Sequence, residues 1–92
     1  MPRFLIEIQH EAERTACIRA IKVLHETGSH FLTNAEYGCL DGEHKAWIIV
    51  DVDDKSDAKM IVPRAYRAQA RVVKLNKFSP EDLEELMSHH AQ

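Results

Sequence analysis

The sequence predicts a single α+β domain in which strand, helix, strand, strand, helix and strand follow one another before a further helix. Three observations support this prediction: short runs alternate between apolar and polar residues, apolar residues in the stretches between them recur every three or four positions, and an Asp-Gly pair separates two of the runs. The length of 92 residues suits one domain, and the proportions of hydrophobic (45%) and charged (29%) residues are ordinary for a globular chain.

The first strand and the first helix are predicted before residue 28. Arg3–Gln9 alternates like a half-buried strand, with Phe4, Ile6 and Ile8 on one face. Residues 11–27 contain no proline or glycine, and the apolar positions of this stretch are spaced as on one face of a helix: Cys17, Ala20, Ile21 and Leu24. Gly28 follows where a left-handed C-cap is favoured, so the helix is predicted to end there.

Asp41-Gly42 predicts a hairpin between the runs 31–40 and 43–52, because this dipeptide favours a two-residue turn between strands. Such a turn pairs Gly38 with Lys45, Tyr37 with Ala46, Glu36 with Trp47, and Asn34 with Ile49. One predicted face, apolar enough to lie under helices, carries Ala35, Tyr37, Cys39, Ala46, Ile48, Val50 and Val52. The other carries Asn34, Glu36, Gly38, Lys45, Trp47, Ile49 and Asp51.

The second half of the chain predicts a short helix, a last strand and a terminal helix. Ser56 is the predicted N-cap of the short helix, which Pro63 ends. The strand is predicted over 71–78. Ser79-Pro80 then begins a helix to about Ser88, because serine caps and proline is tolerated at the first helical position.

This order of elements is the ferredoxin-like βαββαβ arrangement, in which both helices cover one face of a four-stranded antiparallel sheet, here with an added C-terminal helix. The opposite, open face is predicted to carry Leu5, Glu7, Gln9, Asn34, Glu36, Gly38, Trp47, Ile49, Asp51, Val72, Lys74 and Asn76. A small domain buries a limited share of its surface, so an open sheet face favours association with a second copy.

The chain resembles the dimeric α+β barrel proteins through two segments. The short helix entering a proline turn, Met60-Ile61-Val62-Pro63-Arg64-Ala65-Tyr66, is similar to the muconolactone isomerase type, and Phe78-Ser79-Pro80-Glu81 is similar to small uncharacterised bacterial members of that superfamily. The resemblance implies a homodimer whose open sheet faces meet. It also implies a range of activities that includes isomerases, cofactor-free monooxygenases and haem enzymes, so the fold alone selects none of them.

Charge and hydropathy exclude several partners. A net charge of −3 with scattered basic residues gives no broad positive field for a nucleic acid. No apolar run approaches the roughly 20 residues of a membrane-spanning helix, and the first residues lack the layout of a signal peptide. We therefore expect a cytoplasmic protein with neither nucleic-acid nor membrane partners.

The candidate functional site is the open sheet face enclosed by a dimer. Glu7 is the candidate acid or base, Lys74 and Asn76 are candidates for stabilising an oxyanion or contacting substrate, and Trp47 is a candidate wall. Glu36 and Gln9 lie on the same predicted face as further substrate contacts. The function predicted from this face is binding of a small organic molecule in a modest polar pocket, with isomerase or cofactor-independent oxygenase chemistry if there is turnover. The alternative is a structural or regulatory dimerisation module in which the partner subunit fills the face.

Six histidines make a metal site worth considering. His44 lies opposite Cys39 in the predicted hairpin, so these two could supply soft ligands, and His30 could approach from the start of the second strand. No HxxxH, HExxH or CxxC spacing fixes two ligands on one helical face, so we predict no metal and no cofactor. Cys17 and Cys39 are then expected to be buried, unreactive thiols.

Overall fold

A computed structural model describes residues 1–26 and 30–90 of the chain. Its strands are β1 (Arg3–Gln9), β2 (Glu36–Tyr37), β3 (Lys45–Asp51) and β4 (Ala70–Leu75). Its α-helices are α1 (Arg14–Glu26), α2 (Lys55–Ile61) and α3 (Pro80–His90), and shorter 3-10 helices cover Leu32–Asn34, Cys39–Asp41 and Arg64–Gln69. The predicted C-cap at Gly28 lies outside the described residues.

The four strands form one open antiparallel sheet in the order β2-β3-β1-β4. The α+β class predicted from the sequence is therefore confirmed. In the register of the central strands, Phe4 is opposite Val50 and Ile6 is opposite Ile48, so the apolar residues of β1 and β3 share one face.

Helices α1 and α2 supply the other side of the hydrophobic core. Ala20 and Leu24 of α1, together with Ala58 of α2, belong to the same buried cluster as the apolar face of β1 and β3. The largest fully buried side chains of the described residues are Ile6, Ile8, Leu24, Leu32, Ile48, Val50 and Val62. Fully burying a branched aliphatic side chain contributes about 1.5–3 kcal/mol, so this cluster is the main stabilising element of the domain.

The predicted hairpin has the expected register but a different turn. Glu36 pairs with Trp47 and Tyr37 pairs with Ala46, as predicted. The ladder ends where the Gly38 amide donates to the Lys45 carbonyl (3.1 Å), and beyond this point the chain forms a loop instead of a two-residue turn. Leu32–Asn34 forms a 3-10 helix, so the predicted pairing of Asn34 with Ile49 is also wrong.

The loop closes because its backbone groups bond to one another. The Glu43 amide donates to the Gly38 carbonyl (2.9 Å), and the Gly42 amide donates to the Cys39 carbonyl (3.2 Å). Gly42 has a φ of 80°, the left-handed region that glycine adopts without steric cost. We call residues 38–44 the hairpin loop.

Gly38 is required by close packing at the base of the hairpin loop. A Cβ atom there would lie 2.8 Å from the Glu43 carbonyl oxygen and 2.8 Å from the Trp47 ring. We expect Gly38→Ala to lower the free energy of unfolding by about 2 kcal/mol, the usual cost of overpacking. The matched control is Gly42→Ala, where a Cβ meets nothing within 4 Å and only backbone strain of about 1 kcal/mol applies. Urea unfolding measures both, and a Gly38→Ala protein no less stable than Gly42→Ala would contradict the packing argument.

The register of β4 corrects the predicted open face. Val73 is opposite Leu5 and Arg71 is opposite Glu7, so these two β4 residues share the open face. Lys74 is opposite Phe4 and therefore lies on the other face, as does Val72. Asn76 follows the end of β4 and has no strand partner. The sequence misled because Val72 and Val73 are both apolar, so the alternation of this strand does not identify the buried face.

Helix α2 ends before Pro63, as the sequence predicts, but its N-cap is not the predicted residue. The N-cap of α2 is Asp54, not Ser56, because the Asp54 carboxylate accepts from the Asp57 amide (2.9 Å) and from the Ser56 hydroxyl (2.7 Å). These bonds hold the pKa of Asp54 below its usual value. Val62 before Pro63 is extended, which ends α2 as predicted.

Helix α3 begins at Pro80 as predicted and is capped reciprocally. The Ser79 hydroxyl accepts from the Asp82 amide (3.1 Å), while the Asp82 carboxylate accepts from the Ser79 amide (3.0 Å). Leu83, Leu86 and Met87 of this helix are exposed. Within residues 1–26 and 30–90, no helix has the length and apolar character that crossing a membrane requires.

Candidate metal centre

Four side chains from three segments of the chain meet at one end of the sheet. His10 follows β1, Cys17 lies in α1, Cys39 lies in the hairpin loop and His44 precedes β3. One nitrogen or sulfur atom from each of the four lies within 4.8 Å of the corresponding atom of every other. We call these four residues the Cys2His2 cluster.

Backbone pairing brings the two histidines together. The ladder between β1 and β3 extends one step beyond the strands, where the His10 amide donates to the His44 carbonyl (3.0 Å). The imidazole rings then meet edge to face, with centroids 5.9 Å apart and planes at 88°. A strand ladder therefore fixes the separation of two of the four groups.

The two cysteines reach the histidines from the helix layer and from the loop. Cys17, Ala20 and Leu24 form the buried stripe of α1, and this spacing directs the Cys17 thiol toward the sheet. Cys39 is held by the 3-10 turn that the hairpin loop forms after Gly38. Cys17 is buried as predicted, whereas Cys39 is only half-buried because it lies in a loop and not in a strand.

The distances in the Cys2His2 cluster are short. His10 Nε2 lies 3.0 Å from Cys17 Sγ and 3.1 Å from Cys39 Sγ, and His44 Nδ1 lies 3.4 Å from Cys17 Sγ. For comparison, Zn–S bonds of about 2.3 Å and Zn–N bonds of about 2.0–2.1 Å at tetrahedral angles place ligand atoms about 3.3–3.8 Å apart. A zinc ion at the centre thus requires these three contacts to lengthen by up to about half an ångström and any pair of ligand atoms near the 4.8 Å limit to shorten by about 1 Å.

Burial sets the protonation of the cluster. Desolvation, with a smaller effect of the nearby His44, lowers the pKa of His10, so its imidazole is neutral and has a lone pair for a metal. Burial, followed by the hydrogen bond and the proximity to Cys17, raises the pKa of Cys39 to about 11. The Cys39 thiol therefore carries a proton at neutral pH.

The second nitrogen of His10 is also informative. Its Nδ1 is buried and has no hydrogen-bond partner among the described residues. A cavity of about 80 Å³ borders His10 and is also lined by Glu11 and Gln69. This volume is large enough for water, and a histidine that binds a metal commonly donates its other N–H to water or to a carboxylate.

The sequence anticipated one half of this cluster. It placed Cys39 opposite His44, but it missed Cys17 and His10 as their neighbours. His30 is exposed and its ring lies against Phe31, with centroids 4.3 Å apart, so His30 does not approach the cluster. His25 is exposed in the last turn of α1. The available signal was His10 immediately after a strand, because the register then places it beside His44.

The predicted site on the open face is only partly assembled. The Trp47 indole donates from Nε1 to Glu7 Oε1 (3.1 Å), and Lys45 Nζ lies 3.6 Å from the same carboxylate oxygen. Glu36 pairs with Trp47, so it shares this face, and so does Gln9 opposite Lys45. Lys74 lies on the other face and does not share the open face with Glu7 as predicted; the β4 residue opposite Glu7 is Arg71. The catalytic and substrate-binding roles assigned to these residues stay predictions.

No family model, curated protein or solved structure matches this chain. The class of site is therefore defined by its own chemistry. Two thiols and two imidazoles form a soft and borderline donor set with no carboxylate, which suits Zn²⁺ and other thiophilic transition metals and does not suit Mg²⁺ or Ca²⁺.

Proposed function

We propose that the protein binds one Zn²⁺ ion through His10 Nε2, Cys17 Sγ, Cys39 Sγ and His44 Nδ1. The observation that supports this most directly is the convergence of four ligand atoms to within 4.8 Å of one another. Tetrahedral sites of two cysteines and two histidines are a common form of zinc coordination.

A metal accounts for this cluster better than hydrogen bonding alone. Thiols are weak donors and weak acceptors, so two neutral thiols against two imidazoles gain little from their mutual contacts. The raised pKa of Cys39 also argues against a thiolate–imidazolium pair in the metal-free protein. A divalent cation replaces thiol protons and neutralises the two thiolates together.

The number of protein ligands favours a structural role for the ion. Four side chains complete a tetrahedron, whereas a catalytic zinc keeps one position for water or substrate. The ion would join the end of β1 to α1 and to both sides of the hairpin loop. We therefore propose a metal-stabilised binding domain and not a zinc hydrolase.

The test is a titration of the reduced protein with Co²⁺ and then Zn²⁺. We expect one equivalent to bind, with the visible absorption of tetrahedral cobalt and a thiolate-to-cobalt charge-transfer band that zinc abolishes. Replacing His89 and His90 by alanine in every variant removes the adjacent C-terminal histidines as competing ligands. A reductant keeps Cys17 and Cys39 from forming a disulfide.

Two variants locate the ion. Cys17→Ser should abolish the charge-transfer spectrum at one equivalent and weaken zinc binding by about 100-fold or more, because a hydroxyl is a poor zinc ligand. His30→Ala removes an exposed histidine outside the cluster and should leave the charge-transfer spectrum and the zinc affinity unchanged. Tight binding that survives Cys17→Ser would contradict the proposal.

A second proposal concerns the open sheet face. Leu5 and Val73 are half-buried on this face, Ile49 is exposed, and α3 presents an apolar stripe to solvent. These surfaces support a homodimer of the α+β barrel type with a ferredoxin-like subunit, in which a pocket near Glu7 holds a small organic molecule. Native mass spectrometry of the zinc-loaded sample reports the number of chains together with the metal.

Two reduced thiols in the cluster support a reducing compartment such as the cytoplasm.

A further inference from the structure

Part of the Cys2His2 cluster lines a cleft between α1 and the hairpin loop. The cleft has a volume of about 700 Å³, which is within the range of small-molecule sites. Three residues of the cluster line it, namely Cys17, Cys39 and His44, together with five others: Arg14, Ile18, Ile21, Tyr37 and Leu40.

The walls of this cleft are mainly aliphatic. Ile18 of α1 is 53% exposed and Leu40 at the tip of the loop is fully exposed, although both are large apolar side chains. Each would gain free energy from contact with an apolar molecule, at about 25 cal/mol per Å² removed from water. The cleft therefore favours a ligand with an apolar body.

The polar groups of the cleft define the rest of the ligand. Among the described residues that line the cleft, only Arg14 carries a fixed charge. Its guanidinium binds a carboxylate through two parallel hydrogen bonds where geometry allows. The Tyr37 hydroxyl is buried and has no hydrogen-bond partner among the described residues. Because that hydroxyl is itself buried, the cleft offers a ligand one charged group, Arg14, in a mainly apolar lining.

We propose that this cleft binds a small molecule that has an apolar body and one carboxylate. The carboxylate pairs with Arg14, and the body packs against Ile18, Ile21 and Leu40 above the Cys2His2 cluster. This binding site is separate from the open sheet face. It also does not require the metal, because protein side chains form its walls.

The probe is 2-naphthoate, and its neutral control is 2-naphthamide, which has nearly the same shape. Fluorescence or calorimetric titration is performed on the reduced protein, once loaded with zinc and once metal-free. We expect naphthoate to bind with about tenfold higher affinity than naphthamide, the effect of one charge-assisted contact. Equal affinities, or no binding of either compound at millimolar concentration, would overturn the proposal.

Matched variants locate the probe. Arg14→Gln should lower the affinity for naphthoate to that for naphthamide, whereas Arg19→Gln, on the same helix but outside the cleft, should not. Ile18→Ser should weaken both compounds, whereas Ile49→Ser, at a position of nearly equal exposure (51%) on the open sheet face, should weaken neither. If Arg19→Gln and Ile49→Ser reduce the affinity as much as Arg14→Gln and Ile18→Ser do, the probe binds outside this cleft. The cobalt spectrum tests metal binding, and the naphthoate titration tests the cleft. The proposal of a zinc site and the proposal of a carboxylate site can therefore fail separately.

Discussion

Saturating zinc is expected to raise the melting temperature of the reduced protein by about 10–20 °C. An ion present at 100 times its Kd stabilises the folded state by about 2.7 kcal/mol, and each kcal/mol moves the midpoint of a domain of this size by about 4–8 °C. The effect is large because the ligands come from three separate segments, which the unfolded chain does not hold together.

Thermal unfolding followed by circular dichroism measures this shift, with a chelator and then with excess zinc or magnesium. Magnesium should have no effect, because the donor set has no oxygen ligand. In Cys17→Ser the melting temperature should no longer depend on zinc, while His30→Ala should respond as the natural sequence does. Identical melting curves with chelator and with zinc would show that the Cys2His2 cluster does not hold an ion.

The strands that organise the cluster are largely predictable from the sequence. Phe4, Ile6 and Ile8 alternate so regularly that the bounds of β1 follow from them, and the Asp-Gly pair gives the correct midpoint of the hairpin. The register depends only on that midpoint. It is therefore correct even though the hairpin loop stands in place of the predicted two-residue turn.

The composition of the cluster was harder to predict, because motif reasoning looks for two ligands on one element. Here the ligands come from the end of β1 (His10), from α1 (Cys17) and from the two ends of the hairpin loop (Cys39 and His44). Only the packing of α1 against the sheet brings Cys17 to the histidines. The position of Cys17 on the apolar stripe of its helix predicts a core thiol. Cys17 is buried on that stripe as predicted, but its thiol also contacts His10 at the end of β1.

The face of β4 could not be obtained from its own residues. Residues 72 and 73 are both valine, so either one can be placed under the helices by pattern alone. The pairing of Phe4 with Lys74 decides between them, and this is information about a neighbouring strand. The predicted placement of Lys74 on the same face as Glu7 depends on that choice.

Zinc affinity is expected to rise at least tenfold for each pH unit between about pH 7 and 9. Burial and the neighbouring Cys17 raise the pKa of Cys39 from an ordinary value near 9 to about 11, so its proton must be displaced throughout this range. One displaced proton makes the apparent affinity change tenfold per pH unit. His10 adds no dependence there, because its lowered pKa leaves it neutral.

The metal-free protein should respond to alkali in the opposite direction. A thiol whose pKa is higher in the folded than in the unfolded state stabilises the fold at pH values below the unfolded pKa, and this stability is lost as pH rises from about 9 through 11. Zinc competition against a chelator at pH 7, 8 and 9, corrected for protonation of the chelator, measures the first trend, and urea unfolding of the metal-free protein from pH 8 to 11 measures the second. A zinc affinity that does not change between pH 7 and 9 would mean that the Cys39 thiol is not a ligand.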